Sequence, residues 1–280
     1  GALGMVMFVT GTAHGQIVAD RNAPGKQRPT VLQTANGVAQ VNIQTPSAAG
    51  VSRNTYSQFD VQANGAILNN SRGDTATQTG GWVQGNPWLA GGSARVILNE
   101  VNSSNPSQLR GYIEVAGQRA EVVIANPAGV SVDGGGFINA SRVTLTTGTP
   151  LLSGGGLDGY LVRGGQVTIN GKGLDTSHSD YTAILARAVQ VNAGIWGNEI
   201  KLLAGTNQIS ADHGVAGAAA GDGPAPSFAL DVAQLGGMYA GKITLIGTEA
   251  GVGARNAGTL AASNGKLVLQ SNGWLSNSGT

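Results

Sequence analysis

The sequence contains no cysteine and little proline. Without cysteine the chain can form neither a disulfide nor a thiolate metal site. A cysteine-free chain suits a protein that must stay unfolded while it passes through an oxidising compartment, although many proteins simply lack cysteine. The 46 glycines are accompanied by only nine prolines and follow no three-residue period, which excludes a collagen-like fold.

The chain also carries almost no net charge. It has 16 Lys and Arg against 15 Asp and Glu, and charged residues make up 11% of it, where ordinary globular domains have about 25%. A nearly neutral surface exerts no general attraction on nucleic acid or on an anionic membrane. Hydrophobic residues reach 41%, which suits a large buried core and argues against disorder.

The N-terminal stretch is typical of the end of a secretory signal peptide. An apolar run at 3–9, too short to span a bilayer, is followed by the small residues Ala13 and Gly15. We predict that residues 1–15 are a signal-peptide remnant and that the mature chain starts near Gln16; a first core strand or a cloning artefact is the alternative. Since the chain lacks a starting Met and ends inside a repeat, we expect it to be part of a longer protein.

Short alternating segments dominate the rest of the sequence and predict strands. They are rich in β-branched residues and are separated by Gly or Asn. The clearest are 38–43, 120–124, 142–146, 166–170 and 266–270. The segment 181–191 could place three apolar residues on one helical face, but 188–192 also alternates. We therefore predict strands there as well, and no other segment resembles a transmembrane helix.

Sequence repeats predict how these strands are arranged. The later strands recur at intervals of roughly 20 to 25 residues, the range of β-solenoid coils. The segment 241–245 is echoed by 265–269, and 256–260 is echoed by 272–275. One such unit cannot bury its apolar face alone, whereas stacked units form columns of Val, Ile and Leu inside the coil.

We therefore predict an all-β protein, a right-handed parallel β-helix with an N-terminal cap and extra-helical loops or strands. An antiparallel sandwich, the alternative, would show hairpin signals between most strands and no fixed repeat. An uncovered first coil would be a sticky edge, so we assign a cap to the less regular residues 16–70. Residues 16–280 form one domain, in which 241–280 start the repeats of the longer protein and 214–226 form an exposed loop.

Motifs for small-molecule chemistry are weak. The glycine string at 154–159 fits a dinucleotide-binding pattern but lacks its strand-then-helix setting. Residues 132–136 resemble a calcium nonapeptide without its tandem copies. The histidines His14, His178 and His213 have no metal-ligand spacing. We expect these histidines in ordinary surface or loop positions, and we predict neither a metal nor a cofactor.

Two further features could serve an interaction surface. Arg72-Gly73-Asp74 is the tripeptide that many integrin ligands display, but chance explains most such tripeptides. Trp82 and Trp88 could bind a partner, although aromatic rings more commonly pack over the end of a core, which is the role we predict. Enzymes that act on polysaccharides also use β-helices, but they need clustered acids. The acids here are scattered, so a deep acidic groove would be needed to revive that alternative.

Several ordered stretches carry a resemblance to a known family. They are 41–43, 50–54, Tyr56 with Phe59, 68–71, 97–101, 109–115, 124–130, 138–148 and 235–241. The chain resembles the two-partner-secretion (TPS) domain of filamentous-haemagglutinin-like exoproteins, and most of all that of the CdiA-type proteins of contact-dependent growth inhibition. The likeness covers nearly the whole chain from about Val38 onward.

Two turns match the family's signatures NPNL and NPNGI. They read Asn86-Pro87-Trp88-Leu89 and Asn126-Pro127-Ala128-Gly129-Val130, so both lack the third-position Asn. A first-position Asn can hydrogen-bond the backbone two residues on, Pro presets φ at the second position, and Gly is favoured at the fourth. The candidate secretion-motif residues are Asn86, Pro87, Leu89, Asn126, Pro127, Gly129 and Val130. A purely structural role, as turns between coils, is the alternative.

The resemblance implies a route and a partner. Such a domain follows a signal peptide into the periplasm, where periplasmic domains of an outer-membrane β-barrel transporter recognise it. The exoprotein then crosses the barrel unfolded and folds at the cell surface or in the extracellular space. The resemblance implies a toxin or adhesin as the parent protein, and an adhesin surface in its own right is an alternative for this domain. We expect a monomer that is not an enzyme and that binds neither nucleic acid nor a small-molecule substrate.

Overall fold

A computed structural model describes residues 16–280. The predicted signal-peptide remnant, residues 1–15 with His14, lies outside the described residues. The described chain consists of β-strands and two short 3-10 turns, Gly25–Gln27 and Pro87–Leu89, without an α-helix. No helix in this part of the chain is therefore long and apolar enough to cross a membrane.

The strands are numbered in chain order, and most of them belong to a single sheet of 21 strands. They are β1 (Ile17–Ala19), β2 (Thr30–Gln33), β3 (Ala39–Asn42), β4 (Val51–Phe59), β5 (Ala66–Asn70), β6 (Thr75–Thr77), β7 (Gly81–Val83), β8 (Val96–Val101), β9 (Ser107–Leu109), β10 (Tyr112–Gly117), β11 (Ala120–Ala125), β12 (Val130–Ile138), β13 (Ala140–Thr146), β14 (Thr149–Ser153), β15 (Gly156–Val162), β16 (Gln166–Asp175), β17 (Tyr181–Ala186), β18 (Ala188–Val191), β19 (Gly194–Trp196), β20 (Glu199–Ala204), β21 (Asn207–Ser210), β22 (Val215–Ala218), β23 (Phe228–Val232), β24 (Gly237–Gly247), β25 (Gly253–Asn256), β26 (Thr259–Ser271) and β27 (Leu275–Asn277). The segment 181–191 forms β17 and β18, as predicted.

The large sheet winds into a parallel β-helix with three faces. Face 1 stacks β3, β5, β10, the end of β12, the end of β16, β19 and the first halves of β24 and β26. Face 2 stacks β4, β8, β11, β13, β17, β20 and the second halves of β24 and β26. Face 3 stacks β9, the starts of β12 and β16, then β18, β23, β25 and β27. The predicted fold class is confirmed.

Apolar columns fill the inside of the coil. On face 2 one column joins a residue from each of six successive strands in register: Ile124, Leu145, Ile184, Leu202, Leu245 and Leu269. The first five are at most 1% exposed. Each fully buried aliphatic side chain contributes about 1.5–3 kcal/mol, so stacking supplies the stability that a single coil lacks.

Of the two C-terminal sequence repeats, one stacks in the predicted register and the other does not. Lys242 pairs with Lys266 and Leu245 with Leu269, as expected from 241–245 and 265–269. The second expectation was wrong, because Asn256 pairs with Asn277 rather than with Asn272. The amide of Asn256 donates to Asn277 Oδ1 at 3.0 Å, so stacked asparagine side chains set the register there.

Two antiparallel strands cap the first coil. β1 pairs with the outer edge of β4 on face 2, and β2 pairs with the outer edge of β3 on face 1. They occupy backbone groups that would otherwise recruit another chain. β3 and β4 themselves already stack in parallel on β5 and β8, and the boundary of the cap at residue 70 stays a prediction.

A separate four-stranded sheet covers the outside of face 2. β14, β15, β21 and β22 pair antiparallel, and their Tyr160 and Ile209 pack on the outward Leu98, Leu185 and Leu203 of face 2. The exposed loop predicted at 214–226 is therefore only partly a loop. Its first residues form the edge strand β22, since they continue the hairpin with β21.

A short hairpin of β6 and β7 covers the start of face 1. Val83 packs with Ile67 and Ala116 beneath it. The carboxylate of Glu114 accepts hydrogen bonds from the Gln78 amide and from the amide and hydroxyl of Thr79, at 2.7–2.9 Å. The packing predicted for Trp82 is wrong: its side chain, in β7, is 76% exposed, because Val83 is the residue that points inward.

His213 lies in the turn between β21 and β22, which agrees with the surface or loop position predicted for it, but its side chain is buried. It is 4% exposed, whereas His178 is exposed. Its Nδ1 lies 2.8 Å from the Tyr181 hydroxyl oxygen. Burial, together with the positive charges of Arg142 and Lys201, lowers the pKa of His213 to about 4. The sequence could not reveal this position, because burial arises only when the four-stranded sheet folds over face 2.

Acidification should destabilise the domain through this histidine. An unfolded histidine binds its proton near pH 6.5, whereas folded His213 stays neutral until about pH 4. Between these values the unfolded state binds more protons, so stability falls as the pH falls, by up to roughly 3 kcal/mol. Thermal melts across this range should show a smaller loss of Tm in His213→Asn, since Asn tolerates the positive φ of 65°. Equal losses in both chains would exclude His213 as the cause.

Candidate functional site

The first signature turn is closed by its own asparagine. Asn86 precedes the 3-10 turn Pro87–Leu89, and its Oδ1 accepts a hydrogen bond from the Trp88 amide at 3.0 Å. The Leu89 amide donates to the Asn86 carbonyl at 3.1 Å. The Leu89 side chain is fully buried, so the turn is anchored in the core and has the backbone bond predicted for an Asn-Pro step.

The same asparagine ties this turn to two strands of face 1. Its Nδ2 donates to the carbonyls of Ile43 and Asn69, both at 2.9 Å. Ile43 follows β3 and Asn69 lies in β5, and Asn86 itself is only 3% exposed. One side chain therefore closes its turn with an acceptor and links successive coils with two donors.

The second signature turn repeats this arrangement. Asn126 Oδ1 accepts from the Ala128 amide at 3.0 Å, and the Gly129 amide donates to the Asn126 carbonyl at 3.0 Å. Asn126 Nδ2 donates to the Asn105 carbonyl at 2.8 Å and to Ser107 Oγ at 3.0 Å. Asn126 is 0% exposed. In the folded domain neither signature asparagine is available to a partner.

The other signature residues divide between core and surface. Gly129 has a φ of 121°, a conformation that favours glycine, and the buried Val130 then starts β12. Pro87 and Pro127 are exposed. The exposed part of each turn is thus little more than the proline and the residue after it.

The two turns lie at opposite ends of face 2. The first precedes β8 and the second follows β11, and β8 and β11 are adjacent in register. A strand of six residues spans about 20 Å, so the structure does not bring the two turns together into one site. Instead, one turn lies at the start and the other at the end of the adjacent strands β8 and β11.

The Arg72-Gly73-Asp74 tripeptide supports the first turn. Arg72 donates from Nε to the Leu89 carbonyl at 3.1 Å and from Nη2 to the Ala90 carbonyl at 2.8 Å. Asp74 Oδ1 accepts from the Gly85 amide at 2.9 Å, just before Asn86. Both charged side chains are engaged, and the arginine donates to two carbonyls at the end of the 3-10 turn, one of which, that of Leu89, also accepts from the Gly92 amide at 3.1 Å.

Trp88 and Ala128 stand at the third positions of the two signatures, where the family has asparagine. Trp88 is 42% exposed, and its Nε1 donates to Thr30 Oγ1 of β2 at 3.2 Å. The Trp88 carbonyl accepts from the Thr45 hydroxyl at 2.8 Å. The indole therefore rests partly on the cap, and the packing predicted for it holds only in part. Ala128 is half-buried and offers only its backbone.

Two other asparagine side chains also link strands across coils outside the signatures. Asn70 Nδ2 donates to the carbonyls of Ala94 and Gln118, both at 2.9 Å, and its Oδ1 accepts from the Ala94 amide at 2.7 Å. Asn139 has a φ of 62° and donates to the carbonyls of Val115 and Gly117. Only their place in runs that resemble the family could have indicated these residues, since cross-coil contacts leave no local pattern.

The two signature turns themselves contain no titratable side chain. Among residues 16–280, no group of three or more His, Cys, Asp or Glu side chains could hold a metal ion. What the arrangement can do is mechanical: each turn locks a coil onto the one before it.

The sequence matches one family model over nearly its whole length. The description of that family is "TPS secretion domain", and the match covers residues 15–277. A solved structure, described as the crystal structure of the filamentous hemagglutinin secretion domain, superposes with a TM-score of 0.78 at 31% identity. The superposition covers 94% of this chain and 99% of that one.

Two curated relatives are more similar in sequence. "Toxin CdiA" of Yersinia pestis is 58% identical over 99% of this chain. "tRNA nuclease CdiA-2" of Burkholderia pseudomallei (strain 1026b) is 49% identical over 98% of it. The chain spans only 8% and 9% of the length of these two relatives.

Proposed function

The chain belongs to the TPS secretion-domain family, and from this membership we propose how its residues serve secretion. It is the secretion domain of a CdiA-type exoprotein, exported through the periplasm to the cell surface. A cognate outer-membrane transporter is its partner. We infer that the signature turns act by folding: they lock the first coils together as the chain emerges, so that the chain cannot slide back.

The observation that supports this proposal is the burial of Asn86 and Asn126. A transporter that read these side chains would have to do so before the domain folds, because they are at most 3% exposed afterwards. Each coil that folds outside buries apolar surface, which favours outward movement without any nucleotide hydrolysis. The turns that join successive coils would then decide whether the first coils persist.

The parent protein, we infer, is a contact-dependent growth-inhibition toxin or an adhesin. Two relatives carry the names of a toxin and a tRNA nuclease, and this chain covers less than a tenth of either. Any toxic or nuclease activity would then reside in another part of the parent. The domain itself would work as a monomer without a cofactor, a nucleic acid or a small-molecule substrate for secretion.

The enzyme alternative is tested by the grooves that hold two carboxylates. Asp222 and Asp231 line one of them, where Asp231 is paired with Arg255 at 2.8 Å, and Glu114 and Asp175 line the other. A glycosidase needs a carboxylic acid with a raised pKa. Burial raises the pKa of Asp175, but hydrogen bonds from Ser177 and Tyr112 outweigh it and lower the pKa. Glu114 accepts three hydrogen bonds from the β6–β7 hairpin. We propose that both carboxylates are architectural and that the domain is not an enzyme.

Export should depend completely on the matching barrel. Cells that express the chain behind an intact signal peptide should release it into the medium only when the cognate outer-membrane barrel is co-expressed. Without the barrel it should accumulate in the periplasm and be degraded there. A barrel of an unrelated transporter pair is the control, and equal release without any barrel would refute the proposed function.

A further inference from the structure

An exposed aromatic strip runs along face 1, beyond the part that the hairpin covers. In strand register, Tyr112 lies next to Gly136, Gly136 next to Asp175, Asp175 next to Trp196, and Trp196 next to Tyr239. Trp196 is 42% exposed and Tyr239 is 39% exposed. Contiguous exposed apolar patches, unlike single exposed rings, mark interaction sites. No part of secretion described above uses this strip.

The rings of the strip are held flat. The ring centroids of Trp196 and Tyr239 are 6.1 Å apart, and the ring planes differ by 15°. A Cβ added at Gly194 would lie 2.6 Å from the Trp196 ring, and one at Gly237 would lie 2.8 Å from the Tyr239 hydroxyl. The missing side chains let each ring lie against the backbone and turn its other face to water. This fixed orientation lowers the entropic cost of binding.

A groove of about 800 Å³ continues the strip towards the hairpin. Its lining includes Tyr112 and Asp175, which belong to the strip, and strand β6 forms part of its wall. The Tyr112 hydroxyl donates to Asp175 Oδ2 at 2.6 Å. Glu114, also in the lining, holds the hairpin in place through its three hydrogen bonds. The groove is therefore preformed.

The lining of the groove is rich in hydrogen-bonding groups but is not basic. Its polar side chains are those of Thr75, Thr77, Gln78, Tyr112, Glu114, Asn139, Asp175 and His178. Neither a lysine nor an arginine is among the described residues that line it. A nucleic acid or a sulfated polysaccharide would meet two carboxylates in the lining, and no lysine or arginine among the lining residues.

We propose that the groove and the aromatic strip together bind a neutral oligosaccharide. A pyranose ring has a flat C–H face whose slightly positive hydrogens suit the negative face of an aromatic ring. Its edge carries hydroxyls that suit amides, hydroxyls and carboxylates. Flat rings followed by a polar groove along one line match both requirements, and an extended sugar chain has the shape to cover them.

Titration calorimetry of the purified chain with neutral hexasaccharides of glucose, galactose and mannose tests this directly. At least one of them should bind at millimolar concentration or below. Removing one stacking ring, in Trp196→Ala or Tyr239→Ala, should weaken binding about tenfold. Trp196→Phe keeps a ring over Gly194 and should retain most of the affinity, which separates the loss of stacking from a loss of folding.

Trp274→Ala is the matched control, since Trp274 is 46% exposed but lies by face 3, over Gly253. It should leave binding unchanged, and Trp196→Ala should leave secretion through the barrel unchanged. Four results would overturn the proposal: no binding of any neutral hexasaccharide at millimolar concentration, binding of heparin in their place, an equal loss in Trp274→Ala, or normal sugar binding by a Trp196→Ala chain that fails to secrete. The last would assign the strip to the transporter instead.

Discussion

Asn126→Ala is expected to reduce secretion by about tenfold or more when the barrel is present, while the purified domain still folds. The change removes three side-chain hydrogen bonds, to Ala128, Asn105 and Ser107. It leaves buried polar groups without partners, at a cost of about 1–3 kcal/mol. A finished helix with many coils tolerates that loss, whereas an emerging chain with two or three coils has little stability to spare.

Two measurements on Asn126→Ala decide between mechanisms. Secreted yield is compared with thermal melting of the purified variant, whose Tm should drop by roughly 3–10 °C. The matched control is Asn64→Ala, because Asn64 is exposed and its side chain donates only one long bond, 3.4 Å to the Gly37 carbonyl. Normal secretion of Asn126→Ala would remove this turn from the mechanism, and loss of both folding and secretion would make it purely architectural.

Asn70→Ala should be as damaging to secretion as Asn126→Ala, although Asn70 belongs to neither signature. Its side chain makes three hydrogen bonds at 2.7–2.9 Å, to Ala94 and Gln118, and it is 0% exposed. Those partners precede β8 and β11, so the amide joins the coil of β5 and β8 to the coil of β10 and β11 at the corner between faces 1 and 2. If secretion requires hydrogen bonds between coils, its efficiency depends on where the asparagine side chain lies and not on whether it belongs to a signature motif.

If the transporter instead recognises the signature sequence itself, we expect the opposite outcome. Asn70→Ala would then secrete normally, while Asn126→Ala would fail at equal thermal stability. Pulse-labelled secretion assays on both variants, with matched Tm measurements, separate the two models. Asn70→Asp adds a further control: it keeps the acceptor for the Ala94 amide but loses both donors, and under cross-coil locking it should secrete as poorly as Asn70→Ala.

The repeating parts of the fold could be predicted from the sequence because their physics is local. Alternation identifies strands such as β11 and β26, and the echo of 241–245 in 265–269 gives the stacking register. The Asn-Pro steps carry their own turn geometry, so the backbone bonds at Asn86 and Asn126 were predictable. Both depend on residues close together in the chain.

What the sequence could not give depends on contacts between coils. The second donor role of Asn86 and Asn126 needs carbonyls that lie a coil away. Because Asn139 lies outside the signature turns, the sequence alone predicts a milder effect on secretion for Asn139→Ala than for Asn126→Ala. Its positive φ and two cross-coil hydrogen bonds make it an active part of the structure. The burial of His213 likewise needs a sheet assembled from two distant hairpins.

The cap strands β1 and β2 cover the first coil on two of its three faces. Both strands run antiparallel to the strands that they cover, so neither the edge of face 1 nor that of face 2 in the first coil can accept a further parallel coil. The first coil therefore presents no free parallel edge on face 1 or face 2 to another chain. On faces 1 and 2 parallel stacking is thus left open only at the last coil, where β26 is the final strand of both faces.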